Sequence, residues 1–326
     1  MSTGEPILPP IAPQRKRDAS WVFFGPHGLR ALWSLVIYFV LVAAIGFGLT
    51  KALFPLIGKV DVMAPRGMIF AETLVFLVVL IPALIMSRIE GRPAGAYGLP
   101  LRGAFGKHFW SGAFWGLALL CPVMLCMKLA GAYTFGPVAL SAAEIVKYGV
   151  LWAIGFLMVG FFEEYCFRGY VLYTLSRGLG FWPAAILTSC VFAWVHHGNP
   201  GETWMGLAEI VLIALVFAVS VQRTGSLWWA VGIHFSYDWG ESFLFSVPNS
   251  GTHVVGHLSD ATLHGSKWLS GGTVGPEASL FNLIGEALLL VIVLKLYPQA
   301  NYPTALTHGE LVEMPATVRV EEAPQS

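Results

Sequence analysis

Eight apolar stretches, most of them near bilayer-spanning length, divide this chain, and a helix needs about 20 mostly apolar residues to cross the hydrocarbon core. They run from Ala31 to Leu53, Gly67 to Ser87, Phe109 to Leu129, Glu144 to Ser176, Trp182 to His196, Thr203 to Gln222, Ser226 to Ser246 and Ala278 to Leu296. Gly, Pro, Asn or charged residues bound each run and can end a helix there. No strand-like alternation is sustained, and backbone polar groups in lipid must be satisfied internally. The sequence therefore predicts an all-α integral membrane protein, a bundle of about eight transmembrane helices with an intramembrane polar cavity. Composition agrees: 56% of the 326 residues are hydrophobic and 12% charged, with a mean hydropathy of +0.68. The formal net charge of zero gives no electrostatic reason to expect nucleic acid.

Residues 1–28 form a polar, Pro-rich segment carrying Arg15, Lys16 and Arg17. The first apolar run begins too late and runs too long for a cleaved signal peptide, so it is expected to anchor the chain. Residues 29–297 make the polytopic membrane domain, and 298–326, polar and acidic with several prolines, are expected to be a disordered tail. Arg15–Arg17, Arg30, Arg88, Arg92, Arg102, Lys107, Arg177, Arg223 and Lys295 fall on one side of an eight-span topology. The positive-inside rule makes that side and the N-terminus cytoplasmic and leaves the loop from Val247 to Glu277 on the other face. Cys121, Cys126, Cys166 and Cys190 lie in apolar stretches without a C-x-x-C pattern and read as buried packing thiols.

Ionisable groups inside spans are expensive and mark the place where function resides. The richest segment is Glu163-Glu164-Tyr165-Cys166-Phe167-Arg168, following an uncharged run from Tyr148 to Phe162. Glu164 and Arg168, at i and i+4, share a helix face and read as an ion pair, whereas Glu163 points about 100° away and suits a general base. Phe192 to His197 closes the next apolar segment, and His234 to Asp238 lies in the seventh. Glu163 lies 16 residues before Leu179 and His196 lies 17 after it, so an antiparallel hairpin brings them level. His234, 11 residues beyond Arg223, sits about 16 Å in, against about 20 to 24 Å for the other two, near enough for one layer. His197 points about 100° from His196 on a helix, which favours His196 as the site residue. Asn199 and Glu202 read as caps of the sixth helix, Glu209 as a lone cavity acid, and Glu72 and Glu286 as isolated membrane acids. His253, His257 and His264 read as solvated loop residues.

These three ordered motifs, Glu163-Glu164-x-x-x-Arg168, Phe192-x-x-x-His196 and His234-x-x-x-Asp238, resemble the CPBP family, the CAAX proteases and bacteriocin-processing enzymes that include the Ras-converting CAAX endoprotease. The likeness covers about residues 145–246. It implies a multi-pass endopeptidase of a bacterial inner or plasma membrane, acting on a membrane-associated protein or peptide. In it Glu163 and His196 activate a water, His234 and Asp238 stabilise the oxyanion or orient the peptide, and Glu164, Arg168 and Phe192 support them. The eukaryotic members carry Asn where this chain has Asp238. A Zn²⁺ on Glu163, His196 and His234 is the competing form of the site, although no H-E-x-x-H pairing is present. An ion-coupled transporter or a noncatalytic scaffold or immunity protein of the same fold are the alternative functions.

Overall fold

The computed structural model describes residues 19–25, 28–57 and 60–302. The Arg15–Arg17 cluster and residues 303–326 of the expected tail lie outside the described residues. Every expected apolar run is helical: α1 (Ala31–Ile57), α2 (Pro65–Ile89), α3 (Lys107–Leu129), α4 (Ala142–Glu164) continuing into α5 (Tyr170–Leu179), α6 (Phe181–His196), α7 (Trp204–Thr224), α8 (Trp228–Trp239) and, after a four-residue α9 (Lys267–Ser270), α10 (Leu280–Leu296). Five stretches are long and apolar enough to cross a bilayer: Ala31–Leu53, Pro65–Ile89, Lys107–Leu129, Ala142–Leu179 and Trp204–Thr224. The remaining apolar helices are shorter and lie beside these spans. Two antiparallel ladders of two residues per strand join Phe24–Gly25 to Gly28–Leu29 and Tyr133–Thr134 to Thr262–Leu263.

Local chemistry sets the helix ends. Ser141 and Glu144 form a reciprocal capping box at the start of α4, Thr203 accepts from the Gly206 N–H at α7, and Ser279 accepts from the Asn282 N–H at α10, each satisfying an orphan donor. Thr203, rather than the expected Asn199 or Glu202, is therefore the cap of α7. Its hydroxyl sits directly before the first helical residue.

Helix α8 is the hub, packed between α3, α4 and α7. It meets α3 through glycines: a Cβ on Gly112 would stand 2.1 Å from the Trp229 carbonyl oxygen, and one on Gly232 2.2 Å from the Phe109 carbonyl oxygen. Small residues at such crossings let backbones approach where lipid supplies no hydrophobic drive. Helices α6 and α10 flank α7, and α1 lies outermost on α2 and α5. Large apolar side chains including Leu32, Phe39, Phe47, Trp110, Phe114 and Leu129 are exposed, a surface suited to acyl chains.

One end of the bundle is fastened by Glu90. Its carboxylate lies 3.3 Å from Arg92 Nε and 3.5 Å from Arg177 Nη1 and accepts from the hydroxyls of Tyr97 and Tyr170 at 3.0 and 2.9 Å, joining α2 to α5. At the same end, residues 298–302 correct the tail boundary. Asn301 and Tyr302 donate their N–H groups to the Gln222 carbonyl, Arg223 donates to the Pro298 carbonyl, and Tyr302 is buried against Tyr173 and Phe181. The cysteines are free, but Cys121, Cys126 and Cys190 are exposed and Cys166 half-buried. Their expected burial is corrected for the three exposed ones, which sit on the outward sides of their helices, where lipid rather than protein solvates an apolar thiol, whereas Cys166 packs against the core.

Candidate active site

Helix α4 does not run regularly past its two carboxylates: Tyr165–Gly169 form a π-turn before α5 begins. A second π-turn, Gly240–Leu244, follows α8 just beyond Asp238. Such turns widen the helix locally and often occur at functional sites. Here both lie next to the acidic residues that the spans carry.

Glu164 and Arg168 form the i,i+4 pair across the first π-turn, with Nη1 3.3 Å from Oε1 and both side chains fully buried. The guanidinium lies 4.3 Å from the Phe192 ring centroid and 5.4 Å from that of Phe217, cation–π contacts that replace part of its lost hydration. Phe192 thus acts as support for Arg168. Glu164 has a second partner unseen from local spacing: His234 Nδ1 is 2.9 Å from the same Oε1. An Nδ1–H donated to a carboxylate already held by arginine fixes the ring's orientation.

The other ring nitrogen faces two further acids. His234 Nε2 is 3.6 Å from Glu163 Oε2 and 3.4 Å from Asp238 Oδ2, and the ring stacks on Phe217 at 5.5 Å with 16° between planes. Glu163, which points away from the Glu164–Arg168 pair, therefore has the His234 ring beside it, brought from 71 positions away by the α4–α8 packing. The His196 Nδ1–H donates to the Phe192 carbonyl oxygen at 2.7 Å. That bond leaves Nε2 for the cavity. His197 instead is exposed and stacks on Trp194.

Glu163, His196, His234 and Asp238 line one cavity of about 290 Å³. Helices α4 and α6 deliver Glu163 and His196, and the hub α8 delivers both His234 and Asp238. The cavity continues toward the loop end of the bundle, where Asn199, Glu209, Tyr237, Asn249, Glu277, Asn282 and Glu286 complete its wall. Tyr237 donates to Asn282 Oδ1 at 3.0 Å, Asn282 Nδ2 donates to Glu286 Oε1 at 2.8 Å, and the Ser250 N–H donates to Glu277 Oε1 at 2.6 Å. Burial, with Asp238 beside it, pushes the Glu277 carboxyl up to about 8. Glu286, read as isolated, belongs to this wall through its i,i+4 partner Asn282. Glu72 does not line the cavity.

The zinc alternative needs three donors around one point. Among the described residues no three His, Cys, Asp or Glu side chains form such a group. Glu163, His196 and His234, as arranged, do not make a ligand set. In the outer loop, His257 bonds the Val254 carbonyl and His264 the Thr262 hydroxyl.

Residues 145–240 match the family model for type II CAAX prenyl endopeptidase Rce1-like proteins. All three motifs fall inside that segment, which is less than a third of the chain and is similar to that membrane-protease family; the long apolar helices make the chain a multi-pass membrane protein. No curated protein and no solved structure matches the chain.

Proposed function

We propose that this chain, similar to the CAAX-protease family over residues 145–240, is an intramembrane endopeptidase that hydrolyses a peptide bond with a water activated by Glu163 and His196. The observation that carries the reading is the convergence of Glu163, His196, His234 and Asp238 on one recessed cavity. Glu163 takes a proton from the water as its oxygen attacks the peptide carbonyl, and His196 holds the water through Nε2. The developing oxyanion meets His234 Nε2, which donates when the ring is an imidazolium held on Glu164. Preorganised donors in a dry site are worth far more than in water. Glu163 then returns its proton to the leaving amine, so water is divided between the new carboxyl and amino ends. Asp238, whose Oδ2 lies 3.4 Å from His234 Nε2, orients that ring. The substrate is a membrane-associated protein or peptide, presented within the bilayer of a bacterial inner or plasma membrane with the N-terminus of this chain cytoplasmic.

The test is cleavage of a membrane-peptide library by the full chain in liposomes, read by mass spectrometry with parallel metal analysis. Glu163→Ala and His196→Ala are expected to abolish cleavage at matched folding, while Glu72→Ala retains it. Unchanged cleavage in both site variants would overturn the assignment.

A further inference from the structure

The catalytic layer occupies one end of the cavity, and the other end is built from acids it does not use. Glu209 on α7, Glu286 on α10 and Glu277 in the segment before α10 line this end, next to Asp238 of the catalytic layer, and they lie within electrostatic reach of one another. Among the described residues, the lining contains no Lys or Arg. Glu209 is 1% exposed, yet both its carboxylate oxygens lack any hydrogen-bond partner, as does Oε2 of Glu286. Buried carboxylates are ordinarily paired or hydrogen-bonded, since an unpaired one carries a large desolvation cost. Two of them on facing helices, aimed into the same cavity, are acceptors awaiting a donor.

The arrangement also says which donor. Among the described residues no three acids gather closely enough to hold a metal ion, so these carboxylates do not converge on one metal-sized point. They are spread along a wall, which matches an extended group with several N–H donors on a flexible stem. Phe217 stacks on His234, and Glu209 is eight residues nearer the start of α7, a rise of about 12 Å. An extended peptide covers that in about four residues, and a long side chain shortens the count to about two or three. We infer that this acidic recess binds the ammonium or guanidinium of a Lys or Arg side chain lying within about three residues of the scissile bond, making the enzyme selective for cationic membrane peptides. The inference rests on the peptidase reading above for its scissile bond, but the recess itself is testable by binding alone.

The experiment uses the full chain carrying Glu163→Gln, so that bound peptides survive, and an N-acetylated, position-randomised peptide library containing Lys, Arg, Gln and Met. Retained peptides are counted by mass spectrometry. Lys and Arg are expected to be enriched over Gln by about tenfold. Glu209→Gln or Glu286→Gln, near-isosteric and checked for an unchanged thermal midpoint, should each cut that enrichment to about twofold or less. Glu72→Gln should leave it intact. Equal retention of Lys- and Gln-containing peptides, or enrichment indifferent to Glu209→Gln, overturns the inference. Enrichment seen only with a free α-amine overturns the side-chain assignment. If the chain with Glu163 intact cuts nothing while the enrichment stands, the peptidase reading has failed and the recess has not. Cleavage without cationic preference has the opposite meaning.

Discussion

Arg168→Met tests the support of the site most sharply. Arg168 is 1% exposed and pairs with a carboxylate that is 0% exposed, and its guanidinium also covers the Phe192 ring at 4.3 Å. Removing one member of a buried pair leaves the other charge uncompensated and costs about 3–5 kcal/mol. Methionine keeps most of the apolar volume against Phe192 and Phe217, so the orphaned Glu164 sets the loss. His234 Nδ1, still 2.9 Å from that carboxylate, offsets part of it, which places the expected loss near the lower end, about 3 kcal/mol. For a chain of this size that corresponds to a fall in thermal midpoint of about 4–5 °C, measured by tryptophan fluorescence of the detergent-purified protein. The double variant Glu164→Gln/Arg168→Met removes both charges and should recover about half of the fall or more. It should not recover cleavage, because His234 then lacks its charged acceptor. A single variant within about 1 °C of the parent, or a double variant that restores cleavage, would refute this reasoning.

Three further outcomes are expected. Glu90→Gln leaves Arg92 and Arg177 without their shared carboxylate and should lower stability by about 3 kcal/mol in thermal unfolding, with cleavage per folded molecule unchanged; loss of cleavage in folded protein would contradict the separation of this anchor from the site. Gly232→Ala drives a methyl into the Phe109 carbonyl and should yield little monodisperse protein on size-exclusion chromatography, whereas Gly91→Ala, whose Cβ meets nothing but whose φ of +64° strains it, should cost only about 1 kcal/mol. Burial, with Asp238 beside it, raises the Glu277 carboxyl from its ordinary 4.5 to about 8 in the folded protein. The folded state therefore holds its proton more tightly, and the stability this gives is full below about 4.5 and lost as pH rises through about 8. Glu277→Gln should flatten the decline of the thermal midpoint across that window, and an identical decline in the variant would count against the buried, acid-flanked setting.

The helices were legible because a bilayer imposes one length and one polarity on each span, and Gly, Pro and capping residues mark their ends. The Glu164–Arg168 pair was legible for the same local reason, i,i+4 spacing. What local spacing does not carry is the partner across helices. His234 reaches Glu164 across 70 positions, so Glu164, read as the neutralised structural acid, in fact orients the site's histidine. The far wall escaped similarly: Glu277 lies in a loop whose path depends on Ser250 and on packing against α7 and α10, and Glu286 reads as isolated until Asn282 is seen to face inward beside Tyr237. The signal available was the i,i+4 placement of Asn282 and Glu286. The docking of residues 298–302 had no apolar signal beyond Tyr302, since backbone groups at the end of α7 supply its partners.

Hydrolysis by a water activated at Glu163 is tested most directly by cleavage of a library-selected membrane peptide in H₂¹⁸O, comparing the liposome-reconstituted chain with its Glu163→Gln variant. The account predicts one ¹⁸O in the newly formed carboxyl end with Glu163 present and a cleavage rate lowered by about 10³-fold or more in the variant. Equal rates for the two proteins, or products without the label, would contradict it.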